Sequence, residues 1–132
     1  MSLFEIKHPL PFDVDRFEKM YRAAKDALKK AVVEANTQVI VLWSAKESIY
    51  SEVITNALAK EQTEEAVLLD RLRTARDTEI CRVLCMWHDG TVDIPSIAFR
   101  ERLAEVDPRN SDAGVFVRTR EGYSLIQLAG TV

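Results

Sequence analysis

The chain has 132 residues, 47% of them hydrophobic and 30% charged, and a formal net charge of -3. That length suits one domain burying about two-thirds of its unfolded surface without disulfide or metal staples, and the composition excludes disordered and fibrous classes. The mild acidity, with a pI near 5.4, disfavours general attraction to nucleic acid or anionic membranes.

Residues 1–12 read as an extended N-terminal arm whose apolar Leu3, Phe4 and Ile6 suit pairing with a sheet edge. No basic start is followed by a long apolar stretch, and the strongest apolar run, Val39 to Trp43, is too short to span a bilayer. A cytoplasmic, soluble protein is therefore expected. Residues 13–76 form a helix-rich half. Val14, Phe17, Met20, Tyr21, Ala24, Ala27, Leu28, Ala31, Val32 and Ala35 recur at helical steps. The start is signalled either by Asp15 with Glu18 as a capping box or by Asp13 as cap with Phe12 and Phe17 as a staple. Gln38–Trp43 is a continuous apolar run, expected as a central strand covered on both faces. Ser44 with Glu47 then resembles a capping box and predicts a helix burying Ile49, Tyr50, Val53, Ile54, Ala57 and Leu58, although several of these residues favour strands. The apolar stripe loses phase near residue 60, and Thr63 opens a further helix with Glu64 and Glu65 as first-turn charges. Val67, Leu68, Leu72 and Ala75 are expected inward, and Arg71, Arg73 and Arg76 form a solvated basic end.

Residues 77–132 read as hairpin, helix and hairpin. Asp89-Gly90 suits a two-residue primed turn, which would pair Trp87 with Val92 and Cys85 with Ile94. One face then holds Cys81, Val83, Cys85, Trp87, Val92 and Ile94 as core, and the other a mixed, partly buried set that includes Arg82, Met86, His88, Thr91 and Asp93. Pro95-Ser96 opens a short helix with Phe99, Leu103 and Val106 as its stripe, ended by Asp107-Pro108. Glu121-Gly122 centres the second hairpin, with Val115, Val117, Thr119, Ser124, Ile126 and Leu128 on one face and Phe116, Arg118, Arg120, Tyr123, Leu125 and Gln127 on the other. The expected fold is a single α+β domain over 1–132, in the order α-β-α-α-β-β-α-β-β. It has a mixed sheet of about five strands, two C-terminal β-hairpins separated by a short helix, and helices packed on at least one face.

Chemical motifs are sparse. No phosphate loop, dinucleotide fingerprint, nucleophile elbow or zinc-protease motif occurs, and no family resemblance is strong enough to transfer residues. Cys81 and Cys85 on one strand would stand roughly 13 Å apart, beyond disulfide reach, and with His8 and His88 they do not match a zinc site. No metal and no cofactor are expected. The one compact catalytic set is His88, Thr91 and Asp93, which the expected register places on one face. The preferred binding surface is Phe116, Arg118, Arg120 and Tyr123, aromatic rings flanked by guanidinium groups. The leading expectation is a non-enzymatic protein-interaction module, as a homodimer or with a protein partner. The alternatives are single-stranded nucleic-acid binding through the Arg/aromatic face and a small hydrolase-like enzyme using His88 and Asp93.

Overall fold

The computed structural model describes residues 9–59 and 63–131. Helix α1 (Val14–Lys29) precedes a hairpin of β1 (Gln38–Ser44) and β2 (Ile49–Ile54), then come α2 (Thr63–Ala75), β3 (Ile80–Trp87), the short β4 (Val92–Asp93), α3 (Ile97–Val106), a 3-10 turn at Pro108–Asp112, β5 (Gly114–Thr119) and β6 (Gly122–Gln127). The strands form one mixed six-stranded sheet in the order β2-β1-β3-β5-β6, with β4 paired to β3. The α+β class, the mixed sheet and the C-terminal hairpin-helix-hairpin arrangement stand as read. Among the described residues no helix is long and apolar enough to cross a membrane. The arm residues Leu3, Phe4, Ile6 and His8 lie outside the described residues.

Alternation along the strands gives the sheet two buried faces. Ile40, Leu42, Val83, Cys85, Val115 and Val117 face α2 and α3, packing with Leu68, Leu72, Phe99 and Leu103. Val39, Val41, Leu84, Met86, Phe116 and Leu125 face α1, packing with Met20, Ala24 and Leu28. Every residue of β1 is buried, as its unbroken apolar run requires. Of the two starts open to α1, Asp13 is the cap: its side chain accepts from the Arg16 N–H at 3.2 Å, and Phe12 meets Phe17 at 5.4 Å between ring centroids.

Three local expectations are corrected. The helix expected after Ser44 is β2, which pairs antiparallel with β1 from Gln38↔Ile54 to Trp43↔Ile49. The same polar residues that resemble a capping box close a hairpin loop instead. Ser44 Oγ accepts from the Ser48 N–H at 3.1 Å, and Glu47, at a φ of 64°, accepts from Trp43 Nε1 at 2.9 Å. The first C-terminal hairpin is shifted by one residue: Met86 pairs with Val92 and Cys85 with Asp93, and Trp87 N–H donates to Thr91 O at 2.8 Å. Gly90, at a φ of 91°, closes a longer loop with a bulge rather than a two-residue turn. In the second hairpin Thr119 pairs with Gly122, so Arg120-Glu121 forms the turn. This slip is an even one and leaves the face assignments intact.

Helix α3 is the crossover that lets β5 run parallel to β3, pairing Arg82 with Gly114 and Val83 with Val115. A Cβ at Gly114 would stand 2.9 Å from Leu125 Cδ1, so a larger residue there would push the Leu125 side chain aside. Beneath the crossover sits Asn110, fully buried. Its Oδ1 accepts from the Ile80 N–H at 2.7 Å, and its Nδ2 donates to Thr78 O and Leu103 O, each at 2.9 Å.

Asp107 ends α3 and caps the following 3-10 turn. Its carboxylate pairs with the Arg109 guanidinium at 2.7 Å and accepts from the Arg109 N–H and the Thr78 hydroxyl. The Arg109 side chain foremost, with its N–H and Thr78, outweighs burial and holds the carboxyl well below the usual carboxylate range. A carboxyl depressed on folding contributes stability above its unfolded value, about pH 4, and that stability is lost as pH falls through the folded value. Asp107→Asn is therefore expected to lower Tm at neutral pH and to flatten the fall in Tm on acidification. Thermal unfolding followed by circular dichroism from pH 7 to about pH 2 checks it, and an unchanged acid limb would contradict it.

Candidate active site

The structure separates the residues expected to act together. The one-residue shift in the hairpin turns Asp93 to the α2/α3 side of the sheet, opposite Cys85, where its carboxylate accepts from Trp87 Nε1 at 3.0 Å and from the Ile94 N–H at 2.8 Å. His88 lies beyond the strand end, exposed, beside Lys25, Leu28 and Lys29 of α1, and its N–H donates to Thr37 O at 2.9 Å. Thr91 donates its N–H to Asp89 Oδ1 at 2.9 Å. His88, Thr91 and Asp93 therefore do not form a catalytic set, because a one-residue slip moves a side chain to the other face.

Of the Arg/aromatic face, Phe116 is covered whereas Arg120 and Tyr123 are exposed. Phe116 is fully buried beneath α1, edge-on to Phe17 at 5.1 Å, and Tyr123 stands 4.8 Å from the Phe17 ring. Arg118 is partly buried and Arg120 is exposed at the turn. A covered Phe116 offers no ring on which a base could stack.

A different side chain has the chemistry. Glu65, in the first turn of α2, is 2% exposed. It shares the buried side of its helix with Leu68, Leu69 and Leu72. Its carboxyl lies near Ser96, the N-cap of α3, so the starts of two helices come together at one acid. Ser96 Oγ at the same time accepts the Phe99 N–H at 3.1 Å. Oε1 of Glu65 is buried with no hydrogen-bond partner. Burial pushes the carboxyl pKa above its ordinary value and the neighbouring Glu64 charge adds to this, against the pull of Arg102 and the Ser96 hydrogen bond. Asp93 and Glu65 are also the two acidic neighbours of Cys85, whose thiol burial keeps protonated and unreactive. Arg100 braces the turn into α3, donating through Nε to Pro95 O at 2.9 Å and through a second nitrogen to Thr131 O.

The arrangement offers a buried carboxyl at a helix-helix junction, its pKa raised by burial. Glu65 was readable only as a first-turn charge while α2 was placed with Val67 and Ala75 inward; both are exposed. The signal that identifies it is phase, since positions 65, 68, 69 and 72 make one continuous helical stripe, headed by an acid.

No family model and no curated protein matches this sequence. Solved structures do match its fold. The cytidine deaminase of Mycobacterium leprae superposes with a TM-score of 0.64 at 17% identity, covering 88% of this chain and 96% of its own. A variant cytidine deaminase of Mycobacterium tuberculosis gives 0.67 at 16%, covering 90% and 92%. The enzyme from Burkholderia pseudomallei gives 0.60 at 13%, covering 87% and 94%. These neighbours are enzymes, and the fold they share with this chain along most of both lengths overturns the expectation of a non-enzymatic interaction module.

Proposed function

We propose that this chain is an enzyme that replaces the amino group of a small, cytosine-like heterocycle with oxygen, and that Glu65 is its proton-transfer group. The observation that carries the reading is the buried Glu65 carboxyl, with one oxygen unpartnered, at the junction of the α2 and α3 N-termini. The deaminase neighbours supply the reaction class, since an acid-base glutamate at the start of a helix is what nucleobase deaminases use for proton transfer.

The residues suit both halves of such a reaction. Neutral Glu65 protonates the ring nitrogen beside the amino-bearing carbon. The resulting carboxylate accepts a proton from the water that attacks that carbon and passes it to the amino group, which leaves as ammonia while the new hydroxyl returns its proton to Glu65 and becomes the carbonyl. Burial favours the neutral acid and the two helix N-termini favour the carboxylate, so neither state is far from reach. Ser96, fixed by its capping bond to Phe99 N–H, stands beside the carboxyl.

The zinc that such deaminases carry was tested against the side chains present. Their signature places a His or Cys two residues before the glutamate and two Cys in a Pro-Cys-x-x-Cys turn. Here the matching stretches are Thr63-Glu64-Glu65 and Pro95-Ser96-Ile97-Ala98-Phe99. Among the described residues no group of three His, Cys, Asp or Glu is placed to hold a metal ion. The donor set does not fit zinc, and no step is routed through it.

Incubation with cytosine, cytidine and related aminopyrimidines, read by ammonia release and by the change in ultraviolet absorbance, tests the reading. Turnover by the wild type that Glu65→Gln abolishes is expected. Absence of both turnover and calorimetric binding across that set would overturn it.

A further inference from the structure

We infer that this site holds no zinc, the three positions at which a deaminase would hold the metal being occupied by a helix cap, a core ring and an exposed hydroxyl. The inference rests on the reading of Glu65 as the acid of the site. It is argued from what each replacement does.

Ser96 stands where the first thiolate of the turn would be. Its oxygen accepts the Phe99 N–H at 3.1 Å, so it serves as the cap of the helix. A neutral hydroxyl supplies none of the negative charge that a thiolate gives a divalent ion. Phe99 stands where the second thiolate would be. It is 0% exposed and packs in one core with Leu68, Leu72 and Leu103, so the position is filled by carbon. Thr63, the first residue of α2, is exposed and offers another neutral oxygen.

The remaining sulfur in the neighbourhood does not compensate. Cys85 is fully buried on β3 with its thiol protonated, and the acidic groups beside it are Glu65 and Asp93. Asp93 is committed to Trp87 Nε1 and to the Ile94 N–H. A dication would have to strip these partners without gaining a thiolate or an imidazole. The Glu65 carboxyl instead sits buried, with Oε1 unpartnered, among these groups.

The test is metal content in the native protein. Protein produced in zinc-supplemented medium and purified without chelator is expected to hold much less than about one zinc per chain by elemental mass spectrometry, with a Tm that neither added zinc nor a chelator moves. About one zinc per chain, with a Tm lowered by chelation, would overturn the inference. The triple variant Thr63→Cys, Ser96→Cys, Phe99→Cys is expected to gain about one zinc per chain and a chelator-sensitive Tm. A folded triple variant that binds no zinc would show that these are not the metal positions and would also overturn it. Should the loss of the Phe99 ring prevent folding, Thr63→Cys with Ser96→Cys keeps the core, and its two thiolates beside Glu65 are expected to bind zinc measurably more tightly than the wild type. Equal zinc affinities in the two proteins would count against the assignment. Aminopyrimidine turnover by the same wild-type preparation separates the two claims: a zinc-free, inactive protein removes the proposed reaction and leaves the inference, whereas a zinc-bound, active one does the reverse.

Discussion

Glu65→Gln is expected to lose turnover of aminopyrimidines by about 10²–10⁴-fold, the usual worth of a positioned acid-base group. It is also expected to unfold at a higher temperature than the wild type at neutral pH. Both outcomes come from one property of the side chain. Glu65 is held in a buried place with one oxygen lacking a partner, and its pKa is raised by that burial. A carboxyl whose pKa is higher in the folded state contributes stability below its unfolded value, about pH 4, and loses it as pH rises through the folded value. Glutamine is neutral throughout. Its stability advantage should therefore be largest above the raised value, about 1–3 kcal/mol if it follows the cost of a buried polar group without a partner, and should vanish towards pH 4. Denaturant unfolding of both proteins at several pH values, run beside the turnover assay, gives the two readings together. A variant less stable than the wild type at neutral pH would show that the carboxylate's favourable neighbours, Arg102 foremost, outweigh the desolvation of the acid.

Asn110→Ala is expected to destabilise the fold by about 3–5 kcal/mol, because it strands three backbone groups at once. The Ile80 N–H, Thr78 O and Leu103 O all turn towards this amide and lie where water does not reach it, Asn110 being fully buried. Asn110→Asp retains the acceptor for Ile80 but loses both donors and adds a buried charge, so it should be no better tolerated. Urea unfolding reads the effect as a lower midpoint at unchanged slope. A loss below about 1 kcal/mol would show that the loop relaxes enough to rehydrate those groups.

What the sequence discloses and what it hides differ in physical kind. Asp13 with the Phe12/Phe17 staple and Ser96 mark helix starts through bonds made within a few residues, and each is where the local pattern places it. The β2 segment is hidden because Ser44 and Glu47 close a hairpin with the same polar groups that would cap a helix; the preference of Ile49, Tyr50, Val53 and Ile54 for strands was the stronger term. The His88 and Asp93 pairing failed on one residue of register, set by Gly90 and the bulge it permits. The same alternation argument placed Val115, Val117 and Ile126 in the core, because the slip in the second hairpin is even. Glu65 and Ser96 lie on different helices and their meeting depends on tertiary packing. The part legible in advance was an acid in phase with an apolar stripe.

The β1 strand carries a cost outside the folded state. Its partners are unequal in reach: β2 follows after a short loop, whereas the pairing of Gln38 with Trp87 joins residues far apart in the chain. Closing that separation is entropically expensive, so the local hairpins are expected to form early and the β1–β3 seam late. Until the seam closes, Val39-Ile40-Val41-Leu42-Trp43 presents an uncharged, strand-ready edge with no side chain to repel another copy. The strand that anchors the finished sheet is thus the hazard of the unfinished one, and dilution or fast folding, rather than added stability, protects the chain on its way to the native state.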